Sequence, residues 1–170
     1  MSALEQFRAQ KDTFFKTHPQ SPLLPDQQNM FEGLRYFPEN PALQQVVPIE
    51  EFVDKDRILM QTSTGDVRAY VRYGRLRFSV DEQVVELTLY GDDDSYFLPF
   101  ADALAGEETY GAGRYQEPEP LGDGQFLLDF NLAYNPYCAY NDQWSCPITP
   151  IENRLRVPIR AGEKVFREHL

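Results

Sequence analysis

The sequence predicts an α+β protein of mainly β character: an N-terminal helix and a proline-rich arm packed on an antiparallel meander that curls into a partial β-barrel. A β-sandwich is the alternative. Three observations carry this expectation. Apolar residues recur at helical spacing near the N-terminus. Six of the thirteen prolines fall between Pro19 and Pro48. From Arg57 onward the apolar period is two, in short runs separated by turn residues. The length of 170 residues suits a single domain covering 1–170, divided into a helix at 1–18, an irregular arm at 19–56 and a β-rich body at 57–170.

Each element has its own signal. Ser2 followed by Glu5 is a capping-box start, and Leu4, Phe7, Phe14 and Phe15 share one face of a helix that must end before His18 and Pro19. "FEGLRYFPENP" offers aromatic anchors without a regular period, so the arm is expected to wrap the body as irregular chain. In the body, Val67, Ala69, Val71 and Tyr73 alternate with Arg68, Tyr70 and Arg72, and Leu76, Phe78 and Val80 alternate with Arg77 and Ser79. A tight turn at Gly74 and Arg75 would make these a hairpin. Val85, Leu87 and Leu89 form the next strand, and "GDDDS" turns the chain into "YFLPF". A short helical turn at Asp102 to Ala105 precedes a strand from Thr109 to Tyr115, in which Gly111 and Gly113 permit a bend or a close approach. "EPEPLGDG" reads as a turn, "QFLLDFN" as a strand, and Leu155, Val157 and Ile159 alternate with Arg154, Arg156 and Arg160 as a last strand.

The net charge of −11 repels phosphate backbones, and Lys and Arg form no dense run, so nucleic acid and anionic membrane are not expected partners. The start lacks a basic segment followed by an apolar core, and no apolar run approaches bilayer length, which leads to the expectation of a cytoplasmic protein. Two cysteines, Cys138 and Cys146, are then expected to be reduced and buried, although a bridge across the loop is sterically conceivable. Two thiolates make only half a tetrahedral zinc site, and the histidines, His18 and His169, lie near the chain ends, so no metal is expected. GxSxG, HExxH, CxxC and P-loop patterns are absent. No cofactor is indicated, but a flavin in a small β-barrel would leave no short motif.

The densest chemistry lies in "DFNLAYNPYCAYNDQWSC", Asp129 to Cys146. A turn centred near Pro120 and Leu121 would pair Tyr110 with Asn131 and Ala112 with Asp129, placing Arg114 diagonally from Asp129 on one face; a one-residue slip would send Arg114 to the other face. In the favoured register Glu108, Tyr110, Arg114, Asp129, Asn131, Tyr134, Asn135, Cys138, Tyr140 and Asn141 form the candidate ligand-binding set. An Arg fork beside a carboxylate, with amides and phenols nearby, can orient a small polar or anionic molecule between 109–115 and 129–141, with or without catalysis. Glu107, Glu108 and Asp129 are the carboxylates considered for acid–base work, and no catalytic residue is assigned. The plainer reading is that Asn and Asp stabilise turns while Tyr packs its ring. A different reading makes the aromatic residues of Tyr134 to Trp144 an exposed anchor patch of a non-enzymatic interaction module. Arg68, Arg72 and Arg77 could hold an anion, or pair with surface acids.

The chain also resembles the domain of unknown function 1684 family. "GEETYGAGRY" at Gly106 to Tyr115, together with "DFNLAYNPYCAYN", "SCP" and "NRLRVPIRAGE" between Asp129 and Glu163, carries the resemblance, with "SPL" and "FEGLRYF" adding to it near the front. The family carries no established activity, so the resemblance implies kinship and no reaction.

Overall fold

The computed structural model describes residues 1–92 and 95–166. Asp93 and Asp94 of the acidic turn, and His169, lie outside the described residues. Helix α1 spans Ala3–Thr17. It starts as its sequence dictates: the Ser2 hydroxyl accepts the Glu5 N–H at 3.1 Å, satisfying a donor that has no partner within the helix. His18 leaves in extended backbone ahead of Pro19. Of its four inward apolar residues Phe15 is buried, Leu4 and Phe14 are half-buried, and Phe7 stays 46% exposed. A second helix, α2, is short, Pro25–Met30, with its proline in the first turn, where a missing N–H costs nothing.

The remaining structure is mostly β. Strands β1 (Gln44–Glu51), β2 (Arg57–Gln61), β3 (Val67–Val80), β4 (Gln83–Asp92), β5 (Ser95–Phe100), β6 (Arg114–Gln116), β7 (Glu119–Gly122) and β8 (Gln125–Asp129) make one antiparallel sheet in the order β6-β5-β4-β3-β1-β8-β7, with β2 also on β3. The sheet curls into a half-barrel, so the α+β, mainly β class with a partly closed sheet holds.

Several expectations are corrected. No turn occurs at Gly74 and Arg75; β3 runs unbroken through them and pairs with β4 from Val71 to Val80, with a bulge between Arg72 and Gly74. Gly74 serves a close approach instead, because a Cβ there would sit 2.7 Å from the Glu50 carbonyl oxygen of β1. The true reversal is at Asp81 and Glu82, both in left-handed backbone with φ of 49° and 68°, a turn chemistry that Gly or Asn would have announced. Gln44–Glu51, expected as irregular arm, is a central strand. Its first residues pair with β8 up to Pro48, and Ile49 onward pairs with β3, so the proline sits at the hand-over.

The predicted strand from Thr109 to Tyr115 is mostly turn. Gly113 N–H closes onto the Tyr110 carbonyl at 3.0 Å, Gly113 has φ of 107°, and only Arg114–Gln116 joins the sheet, opposite β5 rather than β8. Pro120 and Leu121 lie in β7, and the chain reverses after them at Asp123 and Gly124. Asp129 therefore faces Gln44, not Ala112. The last predicted strand keeps its alternation, with Val157 and Ile159 buried between exposed Arg156 and Arg160, but it runs as extended chain with a single bridge at Arg154.

The main core fills the half-barrel with Leu76, Phe78, Leu89, Phe100, Phe130 and Ile159 among others. A second cluster of Phe15, Leu23, Phe31 and Tyr140 fastens α1 and the arm to the body. Edge-on ring pairs, such as Phe100 with Phe130 and Phe15 with Tyr140, both at 5.1 Å, add orientation to apolar burial.

Candidate functional site

A cleft of about 610 Å³ opens between the N-terminal half of α1 and the β7–β8 hairpin. Leu4 and Phe7 of α1 form the roof, Leu127 lies on the floor, and Gln116, Asp129 and Tyr134 close the inner end. Phe7 is exposed because it faces this space. The volume falls in the range that encloses small organic ligands.

Local chain chemistry builds the inner end. β8 stops at Asp129, whose carboxylate accepts the Asn131 N–H and side-chain amide, both at 3.0 Å, and so caps a 3-10 turn over Phe130–Leu132. Asn131 clamps the arm in turn: its oxygen accepts the Asn40 N–H at 2.8 Å and its nitrogen donates to the Asn40 carbonyl at 3.0 Å. Gln116, only 4% exposed, accepts the Asp129 N–H on Oε1 at 2.8 Å. Its Nε2 is buried with no partner. A buried amide donor left unpaired costs about 1–3 kcal/mol, which is retained in native proteins where something else satisfies it.

The cleft is electronegative. Glu39, Glu117, Glu119 and Asp129 line it, and none of its described lining residues is Lys or Arg. Tyr134 donates its hydroxyl to Glu117. Burial, and then that carboxylate, pushes the Tyr134 phenol well above its ordinary range, so it remains a neutral donor.

Behind the cleft, α1 is held by a buried carboxylate that sequence reasoning did not single out. Glu163, 1% exposed, lies 3.3 Å from Lys11 Nζ, accepts the Tyr140 hydroxyl at 3.2 Å, and accepts the Asn135 N–H at 2.5 Å. Arg8, one turn before Lys11, donates to the Phe37 carbonyl at 3.0 Å and stacks 4.4 Å over the Tyr36 ring. Beneath Glu163 sits Arg114, 1% exposed, donating to the carbonyls of Ala161 (2.5 Å), Ile159 (2.9 Å) and Glu163 (3.0 Å). Asp102 is 3.9 Å away. Burial lowers the guanidinium to about 10, still charged at neutral pH.

The ten sequence-predicted residues thus separate into groups. Asp129, Asn131 and Tyr134 meet at the cleft. Arg114, Asn135 and Tyr140 surround Glu163, and Asn135 also donates to the Lys164 carbonyl at 3.0 Å. Tyr110 and Cys138 pair at 3.7 Å. Asn141 ties the chain to the Pro22 carbonyl at 2.8 Å, and exposed Glu108 lies 4.0 Å from Arg160. The expectation that Arg114 and Asp129 share a hollow is corrected: β6 pairs with β5, and the guanidinium is consumed by the 159–163 chain. Gln116, Leu127 and the roof residues were missed, since a glutamine among prolines and an alternating leucine carry no chemical signal.

The aromatic segment is largely turned inward. Tyr140 is buried, Trp144 donates its indole N–H to the Pro22 carbonyl at 2.9 Å, and Tyr137, 39% exposed, packs edge-on to Trp144 at 5.2 Å. Arg72 and Arg77 pair with Glu152 and Glu86 at 2.7 and 2.5 Å, and Arg68 donates to the Ser145 carbonyl at 2.6 Å. Among the described residues no group of three His, Cys, Asp or Glu is placed to hold a metal ion, and no helix is long and apolar enough to cross a membrane.

The family described as Protein of unknown function (DUF1684) matches residues 29–164. The solution NMR structure of an uncharacterized protein of Haloarcula marismortui is similar at 35% identity and a TM-score of 0.74, covering 98% of this chain and 94% of that one. No curated protein matches the chain. The family match begins after α1, whereas the likeness to the solved structure extends over nearly the whole chain and so takes in the roof of the cleft.

Proposed function

The chain belongs to the family described as Protein of unknown function (DUF1684), and from that premise we propose that it binds a small neutral or cationic molecule in the cleft beneath α1. The observation that carries this reading is Gln116, which lines the cleft and whose amide nitrogen is buried without a partner. A ligand bearing one acceptor, such as a carbonyl or ether oxygen, would satisfy that donor while its apolar part packs on Leu4, Phe7 and Leu127. The four lining carboxylates narrow the small polar or anionic ligand expected from the sequence to a neutral or positively charged one, because an anion would enter against their repulsion. The reading is one of binding, and no reaction is proposed.

Ligand-detected NMR on mixtures of neutral, cationic and anionic metabolites tests it. Leu132→Trp, at a 43%-exposed position lining the cleft, is expected to block binding without unfolding the chain. Gln116→Leu is expected to weaken binding by about three- to tenfold, the value of one hydrogen bond. Binders that are indifferent to both substitutions, or a preference for anions, would overturn the proposal.

A further inference from the structure

We propose that Cys138 and Cys146 form a reversible thiol–disulfide pair, in which Cys138 reacts first with a hydroperoxide and Cys146 resolves it. The proposal stands apart from the cleft and shares no residue with it. Its basis is geometric. The Cys138 N–H donates to the Cys146 sulfur at 3.3 Å, so that sulfur lies against the Cys138 backbone. Both thiols are free. Cys138 is half-buried and reachable from solvent, whereas Cys146 is 8% exposed, which assigns the attacking and resolving roles.

The surroundings favour a thiolate on Cys138. The proximity of Cys146 lowers the Cys138 pKa most, burial opposes it, and the hydroxyls of Tyr110, 3.7 Å from the Cys138 sulfur, and Ser63 lower it further, so it lies below the ordinary value. The same contact, and then burial, raises Cys146, which stays a protonated donor until it is needed. The enclosing loop is fixed on both sides. Cys146 N–H donates to the Ser63 hydroxyl at 3.1 Å and its carbonyl accepts the Ser63 N–H at 2.9 Å, while Asn141 and Trp144 both hold the Pro22 carbonyl.

The chemistry balances with a hydroperoxide as the oxidant. Cys138 thiolate attacks the terminal peroxide oxygen; the O–O bond breaks, and the leaving alkoxide or hydroxide takes a proton from solvent, giving the sulfenic acid. The Cys146 sulfur then attacks the Cys138 sulfur, the S–O bond breaks, and hydroxide leaves as water with the Cys146 proton. The product is a disulfide, returned to two thiols by exchange with an external dithiol.

Dilute hydrogen peroxide, followed by mass spectrometry of the intact and digested chain, tests the pair. The expected result is a monomer that loses two hydrogens, with the Cys138 and Cys146 peptides linked and released by dithiothreitol. Cys138 should react at least about tenfold faster than a free thiol at neutral pH. In Cys146→Ser, or in Cys146→Ala should the serine variant misfold, a cyclic 1,3-diketone should trap sulfenic acid on Cys138. Oxidation of Cys138 to sulfinic acid in the unmodified protein without a linkage would overturn the proposal. So would two thiols that react no faster than free glutathione, or a linkage only between chains.

Discussion

Replacing Arg114 by Met removes the charge and the five donors while leaving a side chain of similar reach. In the native chain its two terminal nitrogens satisfy three backbone carbonyls at 2.5 to 3.0 Å, and Asp102 lies 3.9 Å off with a side chain that is 1% exposed. The variant strands those carbonyls and leaves Asp102 as a buried carboxylate without its cation, although Thr109 Oγ1 and the Ile159 N–H still donate to it, both at 2.7 Å. Breaking a buried pair from one side costs about 3–5 kcal/mol, a large share of the about 5–15 kcal/mol that holds a domain folded. At about 2–4 °C per kcal/mol for a chain of this size, Tm should fall by about 6–20 °C. Thermal and urea unfolding by circular dichroism measure this. Met/Asn replacement of both Arg114 and Asp102 should cost less than the sum of the single changes, since the stranded charge is gone. A loss below about 1 kcal/mol for Arg114→Met, outside the range for breaking a buried pair, would refute the structural role assigned to this arginine.

Three further outcomes are expected. Lys11→Met removes the ion-pair partner of the Glu163 carboxylate, so limited proteolysis within α1 should accelerate at least about tenfold, and adding Glu163→Gln should recover part of the loss. Gly113→Ala forces a side chain into left-handed backbone against the Phe100 carbonyl, 2.7 Å from the new carbon, and should cost at least about 1–3 kcal/mol in urea unfolding. Arg72, then Tyr90, holds Glu152 below its ordinary value of 4.5; a depressed carboxylate stabilises above its unfolded pKa and loses that contribution as pH falls through the folded one. The stability gap between the wild type and Arg72→Gln should therefore be present at about pH 7 and close below about pH 4, and a gap that widens in acid would contradict the assignment.

The sequence makes some elements legible because their signals are local. Ser2 and Glu5 place the start of α1, the alternation through Leu87 and Leu89 places β4, and the buried-and-exposed rhythm of Val157, Arg156 and Ile159 survives even where no ladder forms. What escapes depends on distant partners. Gly74 looks like a turn until β1 crosses it, and Asp81 and Glu82 look ordinary until the hairpin forces their φ positive. Pro48 hides a central strand because only the hand-over from β8 to β3 excuses its missing donor. The site follows the same division. Asp129, Asn131 and Tyr134 stand out in the sequence by the density of polar and aromatic groups around them, whereas the place of Arg114 does not, because one shifted turn, at Asp123 and Gly124, changes which strand its own strand meets. Glu163 and Lys11 lie 152 positions apart in the chain and meet only through the fold.

A high-resolution crystal structure of protein taken from its host cells without a denaturing step bears most directly on the cleft. Density for an organic molecule packed on Leu4 and Leu127, with an acceptor about 2.7–3.2 Å from Gln116 Nε2, is the result expected. A cleft holding only water, with that nitrogen paired to a neighbouring protein group, would contradict the account.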